Sequence, residues 1–165
     1  MAALVRWKKG SNRKPLVVTG VRQCGKTYIL QEFGTKHFNR VIYVNLEKDG
    51  QIADAFSYDY NVSRIVDEIS IIKGIGKISY GDTLLILDEI QACPRAITSL
   101  KYFCEDAREL HVAVAGSLLG ISLKENDAEI GYLIYSSVFI LDIINNFIFA
   151  YLVCSKNIDL FSGTP

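Results

Sequence analysis

Residues 20–27 match the phosphate-binding pattern G-x-x-x-x-G-K-[ST] in full. Gly20 and Gly25 allow backbone conformations, and a close approach to a ligand, that a β-carbon would obstruct. The N–H groups of such a loop can point at a phosphate, next to the positive end of a helix that begins near Gly25. We therefore expect Lys26 to reach the β- and γ-phosphates of a nucleotide and the Thr27 hydroxyl to complete the coordination of Mg²⁺.

The whole loop and the residue after it are expected to contact the nucleotide; they are Gly20, Val21, Arg22, Gln23, Cys24, Gly25, Lys26, Thr27 and Tyr28. Arg22 could contact phosphate or make a structural hydrogen bond to nearby backbone. Cys24 is interpreted first as a small space-filling residue. Because a thiol near a helix N-terminus is often reactive, a second hypothesis is that oxidation of Cys24 blocks the phosphate cradle.

Two adjacent acids, Asp88 and Glu89, follow an apolar run at 84–87. A buried strand of a parallel sheet would deliver them to the carboxyl edge, where open α/β folds bind ligands. We expect Asp88 to hold Mg²⁺, directly or through water, and Glu89 to activate a water for attack on the γ-phosphate. The alternative is a pair of surface acids that merely end a strand. The sequence has no N-K-x-D guanine-reading motif, so ATP is the expected nucleotide.

Two further polar residues, Ser117 and Gln91, each have two alternative roles. Ser117 follows a fourth apolar run and is placed to sense the γ-phosphate and orient the attacking water, although it could be an ordinary turn serine after Gly116. Gln91 could face the nucleotide or a neighbouring subunit, and the sequence does not separate the two.

The elements that would position these residues follow from the hydrophobic pattern. From Pro15 to about Leu123, short apolar runs alternate with amphipathic helical patterns, which predicts an α/β fold with a central parallel sheet. Strands are predicted at 16–19, 41–44, 84–87 and 112–115, and helices after the loop, over 62–72 and from Pro94 onwards.

Composition restricts the class of protein. At 165 residues the chain is the size of one domain, and its zero formal charge gives no clear nucleic-acid footprint. Cations cluster between Arg6 and Lys14; a solvated N-terminal segment is expected there, with phosphate contact as the alternative. The cysteines lack C-x-x-C spacing and the N-terminus lacks a signal-peptide pattern, so free thiols and a cytoplasmic location are expected.

The region after Glu129 has a different character. Residues 132–154 are almost all apolar and long enough to cross a bilayer, but Asp142, Asn145 and Asn146 lie near the middle. An aspartate there costs about 3 kcal/mol on insertion scales. A strand plus a helix against the sheet is therefore preferred, while a membrane-tethered ATPase and an aberrant C-terminus remain alternatives.

The motifs together resemble a prokaryotic AAA-family ATPase, in which an AAA-type P-loop domain precedes a C-terminal domain of unknown function. The similarity lies in 14–16 and the loop, in Asp88-Glu89-Ile90-Gln91 with Pro94, and in 115–120, and it covers about residues 4–124. It implies a three-layer P-loop NTPase fold, with the strand that carries Asp88 beside the strand that precedes the loop. It also implies Ser117 as the sensor residue, and Glu47 matches the pattern without a known role. Such domains often place active sites between subunits, so a homo-oligomer is an open expectation.

The expected organisation is an AAA-type ATP-binding core at 1–124 and an atypical apolar tail at 125–165 that does not match the family. The tail is rich in isoleucine, asparagine and phenylalanine and follows a clean ATPase core, which suggests a truncated or frame-shifted product; members of the family are longer. An arginine finger is not evident: Arg95 and Arg108 could act across an interface, but surface solvation is preferred for both. The sequence thus predicts binding of Mg-ATP with slow hydrolysis; the alternative is a nucleotide-binding switch or remnant without turnover.

Overall fold

The computed structural model describes residues 1–20 and 22–116, together with the backbone of three later strands. Five helices are present in these parts: α1 (Ala2–Lys9), α2 (Lys26–His37), α3 (Gly50–Ala55), α4 (Val62–Lys73) and α5 (Pro94–Asp106), with a 3-10 helix at Ile90–Ala92. The strands are β1 (Leu16–Gly20), β2 (Arg40–Asn45), β3 (Thr83–Asp88), β4 (His111–Ala115), β5 (Phe139–Ile144), β6 (Phe147–Cys154) and β7 (Asn157–Asp159).

One sheet runs through the structure in the order β2-β3-β4-β1-β5-β6-β7. The strands from β2 to β5 pair in parallel, and β6 and β7 are antiparallel additions at one edge. The four strands predicted from apolar runs are all present. Strands β1, β3 and β4 are buried along their whole length, as expected when helices cover both faces of a parallel sheet.

Helices form one layer on each face of the sheet. On one face, Leu84 and Ile86 of β3 pack in a cluster with residues of α1 and α2. On the other face, Leu85 and Leu87 pack with residues of α3, α4 and α5. The side chains of β3 alternate between the two clusters because successive residues of a strand point to opposite faces. The predicted three-layer α/β fold is therefore confirmed.

The expected neighbour relation of the two motif-bearing strands is wrong. Strand β4 lies between β1 and β3: Leu16 of β1 is in register with Ala113 of β4, and Leu84 of β3 with His111 of β4. Apolar runs predict that strands exist but carry no information on which strands pair. The order places the end of β4 between the loop after β1 and the acids after β3.

The N-terminal segment is solvated only in part, which corrects the expectation: two of its cations are exposed, but its helix packs on the domain. Helix α1 buries Leu4 and Trp7, and the Trp7 indole donates a 2.7 Å hydrogen bond to the Lys14 carbonyl. The Lys8 ammonium donates to the His37 carbonyl, and the Arg13 guanidinium donates to the Arg108 carbonyl at 2.7 Å. Lys8 and Arg13 therefore attach the segment to the domain, which argues against the alternative that these two cations contact phosphate.

The tail contributes strands to the sheet. β5 continues the parallel sheet beside β1, with Leu16 in register with Phe139, and β6 turns back antiparallel to β5. The strand expected in the tail is thus present. The helix expected beside it is wrong for residues 147–154, which form the second strand, β6. None of the helices in the described part of the chain has the length and apolarity required to cross a bilayer.

Candidate functional site

The loop between β1 and α2 has the backbone that its glycines were expected to provide. Gly25 has a φ of 88°, in the left-handed region, and caps the N-terminus of α2. A β-carbon at Gly25 would meet nothing within 4 Å, so the requirement for glycine is conformational rather than one of space. Gln23 also has a positive φ, of 62°. Val21, which belongs to the predicted nucleotide-binding set, lies outside the described residues.

Lys26 folds back across this loop. Its side chain is buried, and its Nζ donates to the Gly20 carbonyl at 3.1 Å and lies 3.7 Å from the Cys24 Sγ. The ammonium therefore connects the start of the loop to its last turn. A buried ammonium needs such oxygen partners, and phosphate oxygens are strong alternatives to a carbonyl.

Asp88 is the point at which the loop helix and the sheet meet. Its side chain is 5% exposed, and its Oδ2 accepts hydrogen bonds from Thr27 Oγ1 at 2.8 Å and from the Tyr43 hydroxyl at 2.8 Å. Its Oδ1 accepts the backbone N–H of Glu89 at 3.0 Å. The structure thus brings together the two residues predicted to hold a metal ion, Thr27 and Asp88.

Tyr43 is a site residue that the sequence analysis missed. It lies on β2, which pairs in parallel with β3 so that Asn45 is in register with Asp88. Burial, and then the hydrogen bond to Asp88, raise the pKa of the Tyr43 phenol above its usual range, so the hydroxyl remains a donor. One signal in the sequence could have indicated this role: Tyr43 is the one aromatic residue in an otherwise aliphatic apolar run.

Glu89 has an unusual backbone and a defined side-chain partner. It has φ 51° and ψ 45°, in the left-handed region that non-glycine residues rarely adopt. Its Oε2 accepts a hydrogen bond from the Gln91 amide. The side chain of Gln91 is therefore turned onto Glu89.

The phosphate loop and the two acids border one cleft of about 480 Å³. Its lining residues are Arg22, Gln23, Cys24, Gly25, Lys26, Thr27, Tyr28, Asp88 and Glu89. The predicted phosphate loop and the predicted acids thus face one space. Tyr28 is 67% exposed at its rim. Glu47 is exposed in the turn after β2 and is not among the lining residues. Ser117, the predicted sensor, lies beyond the described residues.

The oxygen atoms in the cleft suit a hard cation. A hydroxyl and a carboxylate are the ligand types that Mg²⁺ prefers, and Mg²⁺ usually takes its remaining ligands from phosphate and water. Within the described residues, no group of three or more His, Cys, Asp or Glu side chains could hold a metal ion. The Thr27 hydroxyl and the Asp88 carboxylate fit a Mg²⁺ ion that takes its remaining ligands from phosphate and water.

The two arginines considered as fingers contact this chain's own backbone. Arg95 Nε donates to the Phe56 carbonyl at 2.7 Å, and its guanidinium lies 4.5 Å from the centre of the Tyr60 ring. Arg108 Nε donates to the Cys104 carbonyl at 3.3 Å. Neither residue lines the cleft.

Comparison with known proteins assigns the family. The family model described as "AAA domain" matches residues 12–142, which is more than half of the chain and extends past residue 124 into β5. No curated protein sequence matches the chain. A solved structure of C. elegans PCH-2 is similar, with 13% sequence identity and a TM-score of 0.44; it covers 86% of this chain, which spans 40% of that protein. Because the family match covers most of the chain, including the loop, the acids and strands β1 to β4, the chain belongs to the AAA domain family.

Proposed function

We propose that this AAA domain binds Mg-ATP in the cleft between residues 20–27 and Asp88-Glu89, and hydrolyses it slowly. The observation that carries the proposal is the 2.8 Å hydrogen bond between Thr27 and Asp88 at the wall of that cleft. It joins the end of the phosphate loop to the end of β3. A nucleotide phosphate and its metal ion would be held between these same elements.

The phosphate side of the site consists of backbone N–H groups and one ammonium. Gly25 caps α2 without a side chain, so it offers no side-chain acceptor to the N–H groups of the first helical turn. Those groups and the positive helix end favour an anion. On binding, Lys26 would exchange the Gly20 carbonyl for phosphate oxygens.

The metal side of the site would be held by Thr27 and Asp88. When bound, Mg²⁺ would neutralise part of the phosphate charge. Three donors, from Thr27, Tyr43 and the Glu89 backbone, orient the Asp88 carboxylate, and this supports the proposed role.

Hydrolysis would require Glu89 to accept a proton from the attacking water, with Ser117 sensing the γ-phosphate. Turnover by the isolated chain is expected to be slow, because an arginine finger is worth about 10³–10⁵ in rate. Arg95 and Arg108 contact backbone carbonyls of their own chain. A neighbouring subunit of a homo-oligomer would be the natural source of such a finger.

A second candidate function is a nucleotide-dependent switch without turnover. Arg95 and Arg108 both donate to backbone carbonyls of their own chain, which favours this function. With neither of these arginines free, ATP could be bound while the transition state of hydrolysis is not stabilised. The two candidates share the binding site and differ only in the chemical step.

Calorimetric titration with ATP and Mg²⁺ tests the shared claim. Wild type should bind saturably, and Lys26→Ala should abolish binding while circular dichroism shows a folded protein. Lys36→Ala is the matched control, because Lys36 lies at the other end of α2, in an exposed ion pair with Glu32. Equal binding by Lys26→Ala, or no binding by folded wild type, would refute the proposal.

Glu89→Gln then separates the two candidates. It retains the size of the side chain but cannot accept the proton, so turnover should fall by about 10²–10⁴ while binding is kept. Phosphate release that is equal in both proteins would assign the activity to another group or to a contaminant.

A further inference from the structure

We propose that Gln91 is a positioning residue for Glu89: its amide fixes the carboxylate that activates water. The inference rests on the proposed function and concerns a residue that does not line the cleft. Gln91 therefore acts through Glu89 and does not touch the nucleotide.

The turn that carries Gln91 is closed without its side chain. After β3, the chain passes through Glu89 into the 3-10 helix, where the Ala92 N–H donates to the Glu89 carbonyl at 2.9 Å. The Cys93 N–H donates to the Ile90 carbonyl at 3.1 Å, and the Ile90 side chain is buried. Backbone bonds and an apolar anchor thus define the turn, which leaves the amide free to serve another purpose.

The orientation of the amide is determined by the chemistry of its partner. An ionised carboxylate only accepts hydrogen bonds, so the Nε2 of Gln91 must face Glu89. The Oε1 atom is then directed into the protein, where it is buried without a hydrogen-bond partner.

That buried oxygen reduces stability, because it has left water without gaining a donor. An apolar side chain of similar length would avoid this penalty, and the backbone bonds of the turn do not require glutamine. We therefore explain the glutamine at this position by its Nε2 group, which holds the Glu89 carboxylate. A base acts efficiently only when it is held within reach of its proton, and a free glutamate has several side-chain rotamers.

Gln91→Met tests this separation of function from stability. Methionine is unbranched and of similar length, and it removes both the donor and the unpartnered oxygen. We expect a melting temperature equal to or above that of wild type, a Kd for Mg-ATP within about twofold, and a kcat lower by roughly tenfold or more, as a share of what a general base contributes. Gln31→Met is the matched control, because Gln31 is exposed on α2, and it should change none of the three.

Two outcomes of this experiment would overturn the inference. A lower melting temperature with unchanged kcat would make Gln91 a structural residue. A raised KM with unchanged kcat would make it a binding residue.

A second measurement does not depend on turnover. In protein labelled with ¹³C at glutamate carboxyl carbons, the Glu89 resonance is identified by its loss in Glu89→Gln. It should move in Gln91→Met and stay in place in Gln31→Met, and an unmoved resonance in Gln91→Met would refute the inference. If wild type binds ATP without turnover and the resonance moves, the hydrolysis proposal fails while the positioning contact stands.

Discussion

The Tyr43 hydroxyl and the Asp88 carboxylate are joined by a hydrogen bond of 2.8 Å that links β2 to the end of β3. Thr27 donates to the same carboxylate oxygen at 2.8 Å. Three elements of the domain therefore converge on one buried oxygen atom. Because Tyr43 comes from a strand and Thr27 from helix α2, two separate elements orient the carboxylate.

The first prediction concerns this contact. Tyr43→Phe removes only the hydroxyl, so Asp88 loses one of the two donors that orient its Oδ2. Loss of a hydrogen-bond partner behind a metal ligand typically weakens metal affinity about 10–100-fold. We expect at least a tenfold lower Mg²⁺ affinity in Mg²⁺ titrations of ATP binding, with nucleotide binding in EDTA unchanged.

The control for this change is Tyr58→Phe, because Tyr58 is 82% exposed and does not line the cleft. It should leave the Mg²⁺ titration unaltered. Equal Mg²⁺ affinities for Tyr43→Phe and wild type would show that Thr27 and the Glu89 N–H are sufficient to orient Asp88.

The second prediction concerns the contact between α2 and the sheet. A β-carbon at Gly34 would lie 2.6 Å from Val41 Cγ2 and 3.1 Å from Leu84 Cδ2. Gly34→Ala would gain about 1 kcal/mol of helix propensity but lose about 1–3 kcal/mol to overpacking against a stiff β-branched side chain. We expect a net loss of roughly 1 kcal/mol in the free energy of unfolding by urea titration.

Gly50→Ala is the matched substitution, since Gly50 begins α3 and a β-carbon there would meet nothing within 4 Å. It should be neutral or slightly stabilising. Adding Val41→Ala to Gly34→Ala should cost less than Val41→Ala costs alone, because it removes the clash. Additive losses would contradict the steric explanation.

Local patterns in the sequence predicted the parts of the site that depend on a few neighbouring residues. The apolar run before Asp88 predicted β3, and the glycines at 20 and 25 predicted the loop. Each of these depends on backbone geometry and burial that a short segment determines by itself. The same holds for α4, whose apolar spacing predicted the buried face.

Contacts between distant segments were not predictable in this way. The position of β4 between β1 and β3 depends on pairing across the chain, and so does the meeting of Tyr43 with Asp88. Helix α1 was missed because its two buried residues, Leu4 and Trp7, are too few to outweigh the cations beside them. The turn of Gln91 back onto Glu89 depends on a left-handed residue that no local propensity favours.

The third prediction is a dependence of stability on pH through His111. This residue is 5% exposed at the start of β4, with the Trp7 and Phe38 rings 5.9 and 4.7 Å from its own. Burial, followed by the charges of Arg13 and Lys8, lowers the pKa of His111 to about 4. The unfolded chain, with the ordinary pKa of about 6.5, therefore binds the proton more readily than the folded chain.

The contribution of His111 to the free energy of unfolding should therefore be fully present above about pH 6.5. It should be lost as the pH falls towards 4, and the loss from this group is at most about 3 kcal/mol. Urea titrations between pH 7.5 and 4.5 measure the slope, and His111→Phe should reduce it. His37→Phe is the matched change at an exposed histidine. An unchanged slope in His111→Phe would assign the acid sensitivity to other groups.

The last prediction concerns Cys24, whose Sγ lies 3.7 Å from the Lys26 Nζ and faces the cleft. Cys93 and Cys104 are buried, at 8% and 7% exposure, so a thiol reagent should reach Cys24 before either of them.

Alkylation of Cys24 would place a bulky group where the phosphate is expected. We predict that N-ethylmaleimide abolishes Mg-ATP binding in calorimetry and that bound nucleotide slows the modification. Cys24→Ala should bind ATP before and after treatment, because alanine keeps the loop small and removes the target. Full binding by wild type that mass spectrometry shows to be modified at Cys24 would mean that the phosphates do not approach this side of the loop.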